Sequence, residues 1–199
     1  MENEIRKLRE ELADVCVKAY NRGLSSGAGG NISVRLEGAD IVVVTASGIS
    51  FRDVTADNLI VVDLECKVLE GEGRPSKEIK WHCGIYKERP EIFSVFHSHS
   101  TAATAYASSG MTVPLVTGPF EKNIGKQKIV PYAPPGSDEL ANLVIPSFKD
   151  KELNVLILER HGAVAVAPTL SQAFNLADLL EDAARTAILR NLISNIKTI

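Results

Sequence analysis

A chain of 199 residues with 45% hydrophobic and 24% charged side chains fits a single globular domain with its own core, expected over residues 1–199. Its net charge of -3 comes from interspersed signs with no concentration of Lys and Arg, which argues against a nucleic-acid partner. The charged opening residues carry no secretory signal, and no run approaches the roughly 18 apolar residues that span a bilayer, so the expected location is cytoplasmic, without a membrane partner.

In chain order, Ile5, Leu8, Leu12, Val15, Cys16 and Ala19 recur at threes and fours over residues 4–22, the period of an amphipathic helix, and Gly23 ends it. A loop rich in Gly and Ser (25–30) leads into a strand at 31–36, where Ile32, Val34 and Leu36 alternate with polar residues. A second strand at 40–45 follows the turn Gly38-Ala39-Asp40, so the two predict an antiparallel hairpin. Strands at 58–63 and 67–69 precede a break at 71–75 and a helix over about 77–87 that Ser76 can cap. Beyond it the pattern predicts a buried strand (92–99), a helix (100–108), a capped helix (137–148), an apolar strand (154–158) and a long last helix (171–192). Hairpins mixed with helical crossovers predict an α/β fold whose mixed or mainly antiparallel sheet is covered by helices. Cys16, Cys66 and Cys83 are scattered, with no CxxC pair, and predict ordinary thiols.

Two of the four histidines form His97-Ser98-His99 at the end of a predicted strand. Side chains at i and i+2 share a face and stand about 7 Å apart along a strand, so the pair can converge on one ion. His161, after the apolar strand, is a third candidate ligand at a strand end. Three protein ligands with an open position suit catalytic zinc, whereas a structural site closes with a fourth, and none of the cysteines has the spacing to close it. His82, inside a helix with no partner at ligand spacing, reads as structural.

Glu78 lies in the first turn of a predicted helix, where the dipole stabilises a carboxylate. Three short loops carry donors suited to an anion: Gly29-Gly30-Asn31, Ser47-Gly48 and Ser76-Lys77. Glycines free backbone N–H groups, hydroxyls add donors, and a helix start favours phosphate. Beside a metal site and a carboxylate, they point to a small phosphorylated substrate.

The ordered series Gly30-Asn31-Ile32-Ser33, Thr45-Ala46-Ser47-Gly48, Pro75-Ser76-Lys77-Glu78, His97-Ser98-His99, Pro131-Tyr132-Ala133 and His161-Gly162 resembles the class II aldolase/adducin family over nearly the whole chain. The resemblance implies a three-layer α-β-α fold with a central, mainly antiparallel sheet. It implies one Zn2+ per chain on His97, His99 and His161, Mn, Co or Fe being alternatives, with Glu78 as the acid/base that can also approach the metal. Phosphate would be held by Gly30, Asn31, Ser47, Gly48, Ser76 and Lys77. The family's enzymes are usually homotetramers with active sites at subunit interfaces.

The activity implied is that of an aldolase cleaving a ketose 1-phosphate, of the L-fuculose 1-phosphate type, into dihydroxyacetone phosphate and a short aldehyde such as lactaldehyde through a metal-stabilised enediolate. The alternatives are a sugar-acid phosphate decarboxylase, a pentulose-phosphate epimerase or a dehydratase on the same scaffold, or a non-catalytic adducin-like binding module. Two features depart from the aldolase pattern. Lys77 stands where fuculose-phosphate aldolases usually carry serine and resembles the decarboxylase branch. In place of the aldolases' cross-subunit tyrosine the chain has Thr117-Gly118-Pro119-Phe120-Glu121, which makes Glu121 a candidate accessory acid/base.

Overall fold

The computed structural model describes residues 1–196; the last three residues of the domain expected over 1–199 lie outside them. Among the described residues eight strands form one sheet: β1 Asn31–Arg35, β2 Ile41–Val44, β3 Ile60–Asp63, β4 Val68–Glu70, β5 Ser94–Ser98, β6 Gln127–Val130, β7 Val155–Leu158 and β8 Gly162–Ala167. Their order across the sheet is β4-β3-β2-β1-β5-β8-β7-β6, and only the edge pair β6 and β7 is parallel. The helices are α1 Glu2–Asn21, α2 Ile79–Glu88, α3 Thr101–Ser108, α4 Gly118–Asn123, α5 Asp138–Ser147 and α6 Leu170–Ile196. None is long and apolar enough to cross a membrane.

The period-2 alternation of the strands divides their side chains between two cores. Ile32, Val34, Val43, Phe96, Ile157 and Ala165 face one layer, built from α1, α3, α4 and α6. Val42, Val44, Ile60, Val95, Leu156 and Val164 face the other, built from α2 and α5. The fold is therefore the expected three-layer α-β-α arrangement around a mainly antiparallel sheet. The predicted hairpin is present, with Ser33 opposite Val44.

Three elements depart from the sequence expectation by being extra. β8 reads Gly-Ala-Val-Ala-Val-Ala, and its alanines carry low strand propensity, yet Ala163, Ala165 and Ala167 are what the crowded α6 side admits. β6 is a short edge strand punctuated by Lys128, and α4 is a six-residue helix opened by Thr117 and Pro119. One correction concerns α2, which begins at Ile79, so that Glu78 is its N-cap residue and not part of the first turn. The Ser76 hydroxyl accepts the Glu78 amide at 3.2 Å instead of capping the helix further in.

α3 is fixed from outside. Its N-cap residue, Ser100, makes no side-chain cap; the buried carboxylate of Glu181 on α6 accepts the amides of Ala102 and Ala103 at 3.0 Å. A carboxylate at a helix start satisfies orphan N–H groups and the helix dipole together.

Candidate metal and catalytic site

The centre of the sheet carries the chemistry. β5 pairs with β1 on one side and β8 on the other, so His97, inside β5, is covered from both edges and fully buried. His99 follows just past the strand end, and His161 sits in the three-residue turn joining β7 to β8. These backbones approach closely. A Cβ on Gly162 would lie 2.3 Å from the Ser98 carbonyl, and one on Gly30, already at φ +74, would lie 2.7 Å from the His97 carbonyl. Only glycine fits at such contacts.

The three imidazoles converge as expected. His97 Nε2 stands 2.8 Å from His99 Nε2 and 3.3 Å from His161 Nε2, and one ligand atom from each ring lies within 4.8 Å of the others. His97 Nδ1 meets the Ala163 carbonyl at 2.9 Å. That contact needs an Nδ1–H donor, so the neutral ring presents a bare Nε2 to the cluster, as ligating histidines do.

Burial first, and the neighbouring rings second, hold the His97 pKa well below the ordinary histidine value. Burial and His161 bring His99 down to about 4, partly opposed by Glu78. His161 is lowered by burial, again against Glu78. All three rings are therefore neutral near pH 7.

Glu78 completes the cluster. It is 5% exposed, with Oε2 3.2 Å from His97 Nε2 and Oε1 3.8 Å from His161 Nε2. Its side chain makes no cap to its own helix and turns toward the histidines. Oε2 accepts Asn31 Nδ2 at 2.9 Å, while Oε1 is buried without a hydrogen-bond partner. A buried carboxylate facing three neutral imidazoles is an uncompensated charge, costly in a low-dielectric site. Bare nitrogens and a carboxylate oxygen at these separations are the donor set that a divalent cation satisfies. The residues fit a metal.

A cleft of about 240 Å³ opens above this cluster. It brings together every residue of the three anion loops named from the sequence: Gly29, Gly30 and Asn31, then Ser47 and Gly48, then Ser76 and Lys77, beside Glu78, His99 and His161. Larger hollows exist, such as one of about 630 Å³ by Arg89 and Asn154, but the histidine cluster is not among their lining. Ser47, Gly48 and Lys77 are exposed at the mouth, whereas Asn31 and Ser76 are buried. Glu121, exposed on α4, does not line the cleft.

One buried contact to the site was not visible in the sequence. His82, read as structural, is fully buried on α2. Burial pushes its pKa down to about 3. Its Nε2 meets Asn31 Oδ1 at 2.5 Å, and its Nδ1 meets Ser33 Oγ at 2.7 Å. The available signal was spacing: His82 follows Glu78 by four residues, which on a helix puts both on one face.

Known proteins resemble this chain in sequence and in fold. The family described as Class II Aldolase and Adducin N-terminal domain matches residues 10–188. An L-fuculose phosphate aldolase of Methanococcus maripaludis is 30% identical over 187 residues, covering 94% of this chain and 98% of that protein. A 3-oxo-tetronate 4-phosphate decarboxylase of Haemophilus influenzae is 32% identical over 171 residues, covering 83% and 80%. Among solved structures, an L-fuculose 1-phosphate aldolase superposes with a TM-score of 0.86 at 28% identity over 94% of this chain and 87% of that one. The match over most of the length, together with the shared architecture, establishes that the chain belongs to the class II aldolase and adducin family.

Proposed function

We propose that this protein is a metal-dependent lyase acting on a small phosphorylated sugar, and specifically a zinc aldolase that cleaves a ketose 1-phosphate to dihydroxyacetone phosphate and a short aldehyde. The observation that carries the reading is the pairing of the Glu78 carboxylate with His97, His99 and His161 at the floor of a cleft whose mouth gathers the anion loops. His97, His99 and His161 hold the metal, with Glu78 able to approach it. When bound, the ion supplies Lewis-acid stabilisation of the negative charge that develops on the substrate oxygens.

The chain's own residues do the rest. Gly30, Asn31, Ser47, Gly48, Ser76 and Lys77 bind the phosphate through backbone N–H groups, hydroxyls and one ammonium, anchoring the sugar so that its C3–C4 bond lies over the cluster. The C4 hydroxyl gives its proton to Glu78, its oxygen becomes the carbonyl of the departing aldehyde as the C3–C4 bond breaks, and the electron pair of that bond remains on the C3 fragment. Glu78 then returns a proton to C3, giving dihydroxyacetone phosphate. Oε1, the oxygen without a protein hydrogen bond, is the one free to move that proton, while Asn31 keeps Oε2 occupied.

A second reading, decarboxylation of a sugar-acid phosphate, is favoured by Lys77 at the cleft mouth and by the similarity to a decarboxylase. Epimerisation and dehydration use the same kind of stabilised anion and have no residue that favours them here. A non-catalytic adducin-like module has no use for the buried cluster. The unit acts as one domain in the cytoplasm and assembles as a homotetramer with sites at subunit interfaces. The exposed Leu189, Leu192, Ile193 and Ile196 on α6, an apolar stripe of helical spacing, support such assembly, and Glu121 is an accessory acid/base that a neighbouring subunit would supply.

The test is to load the protein with zinc and incubate it with a panel of phosphorylated ketoses and sugar acids, scoring dihydroxyacetone phosphate, CO₂ and epimer separately. Dihydroxyacetone phosphate with an equivalent of aldehyde is expected. CO₂ from a sugar-acid phosphate without dihydroxyacetone phosphate moves the assignment to the decarboxylase.

A further inference from the structure

Behind Glu78 a line of buried side chains runs from the core to the site. Tyr86 Oη lies 2.7 Å from Ser33 Oγ, Ser33 Oγ 2.7 Å from His82 Nδ1, His82 Nε2 2.5 Å from Asn31 Oδ1, and Asn31 Nδ2 2.9 Å from Glu78 Oε2. Ser33, His82 and Tyr86 are fully buried, and Asn31 is 6% exposed.

The chemistry of each group forces the direction of every link. An ionised carboxylate offers no hydrogen, so Asn31 must donate its N–H to Glu78 and has only its carbonyl left for His82. That carbonyl requires His82 to carry its proton on Nε2. A neutral imidazole has a single N–H, so Nδ1 is bare and accepts the Ser33 hydroxyl. Ser33, having donated, accepts from Tyr86. Four hydrogen bonds thus point the same way and end on Oε2. Ring packing fixes the middle of the line: Trp81 stacks on His82 with centroids 4.2 Å apart and meets the His97 ring edge-on at 5.6 Å.

We propose that His82 is a positioning residue for Glu78: its Nε2–H holds the Asn31 carbonyl, which turns the Asn31 amide N–H onto Oε2 and leaves Oε1 free above the histidines. The two ends of an amide are nearly the same size, so packing alone chooses poorly between them. Without His82 only the carboxylate's own need for a donor opposes a rotation that sets the Asn31 carbonyl against it, and the amide carbonyl loses its partner. Ser33 and Tyr86 act one step further back, by keeping His82 in the required tautomer. This inference rests on the reading of Glu78 as the group that moves the proton, and the test below separates the two.

The first arm uses the zinc-loaded full chain labelled with 15N at histidine. Long-range 1H–15N spectra are expected to give His82 the pattern of an Nε2–H tautomer, and an Nδ1–H pattern overturns the proposal. The second arm measures kinetics of His82→Leu and His82→Gln, each with Glu78 intact and with Glu78→Gln. His82→Leu is expected to lower kcat ~10-fold, with KM within about twofold and zinc content as in the parent. His82→Gln, which keeps an N–H near the Nε2 place, recovers most of that loss.

In the Glu78→Gln background the His82→Leu loss disappears, because a residue acting through Glu78 has nothing left to position. Losses that simply multiply, or a Gln variant as impaired as Leu, overturn the proposal. A Leu variant that fails to fold leaves the decision to the tautomer and to the Gln variant. If Glu78→Gln alone keeps wild-type kcat, the acid/base reading falls, and the tautomer by itself then decides whether His82 orients Asn31.

Discussion

The floor and the mouth of the cleft are built by opposite rules. At the floor, His97, His82 and Glu78 are buried, come from β5 and the start of α2, and are bonded to partners that are themselves buried. At the mouth, Ser47, Gly48 and Lys77 are exposed and lie in loops. A step that must stabilise a developing charge needs groups fixed in advance in a dry setting, and a sheet with helices on both faces supplies them. Selection among phosphorylated sugars needs only donors that can be exchanged without disturbing the core, and loops tolerate such change. In the proposed reading the floor carries the chemistry and the mouth the contacts to substrate.

The sharpest way to break this division is at the floor. His97→Ala or His161→Ala removes one of three ligands, and the purified variants are expected to lose their metal and at least ~10³-fold in kcat/KM, the several kcat-determining kcal/mol that an electrophilic ion contributes. Elemental analysis alongside turnover checks it; an active preparation without metal would contradict the assignment. Next comes Glu78→Gln, which keeps shape and can still accept from Asn31 but cannot return a proton. Its kcat is expected to fall by ~10²-fold or more with zinc content and Tm little changed. Near-wild-type turnover in a zinc-loaded Gln variant would take Glu78 out of the mechanism and make Glu121 the next residue to test.

Acid probes the floor without mutation. His82 binds a proton only near pH 3 and His99 near pH 4 in the folded chain, against about 6.5 when unfolded. Between those values the unfolded state binds more protons, so their contribution to stability is complete above about pH 6.5 and is lost as pH falls below it. The metal-free protein is expected to lose up to about 1.4 kcal/mol per pH unit for each such ring, read by denaturant titrations between about pH 4.5 and pH 7.5. A flat profile would mean that the rings are already solvated. The smallest effect belongs to the mouth: Lys77→Ala is expected to raise KM ~10-fold for phosphorylated substrates, with a smaller change in kcat. An unchanged preference for phosphorylated over unphosphorylated sugar would remove Lys77 from the phosphate site.

The sequence discloses groups that act through spacing and hides those that act through long-range pairing. His97-Ser98-His99 declares itself because two residues along a strand is one face, and β1 with β2 declares itself through alternation and a glycine turn. His161 was legible as a strand-end residue, but the strand that follows it was not, since alanines at 163, 165 and 167 signal a strand only once α6 is known to press on them. Glu78 looked like a helix-start acid because local sequence could not tell a carboxylate pointing along its helix from one turned toward β5. Asn31 was legible as part of an anion loop, but not as a partner of Glu78 and His82. Its contacts to Glu78 and His82 bridge 47 and 51 residues of chain, and no local pattern encodes such a pairing.

The carboxylate of Glu181 on the first amides of α3 has a consequence in time as well as in space. Those amides find their acceptor on the last helix, so they exchange hydrogen with solvent only when α6 lifts away, and they should share its protection. His99 lies two residues before α3. Whatever loosens the last helix, at a distance from any ligand atom, is thereby felt as slackening in one arm of the histidine cluster.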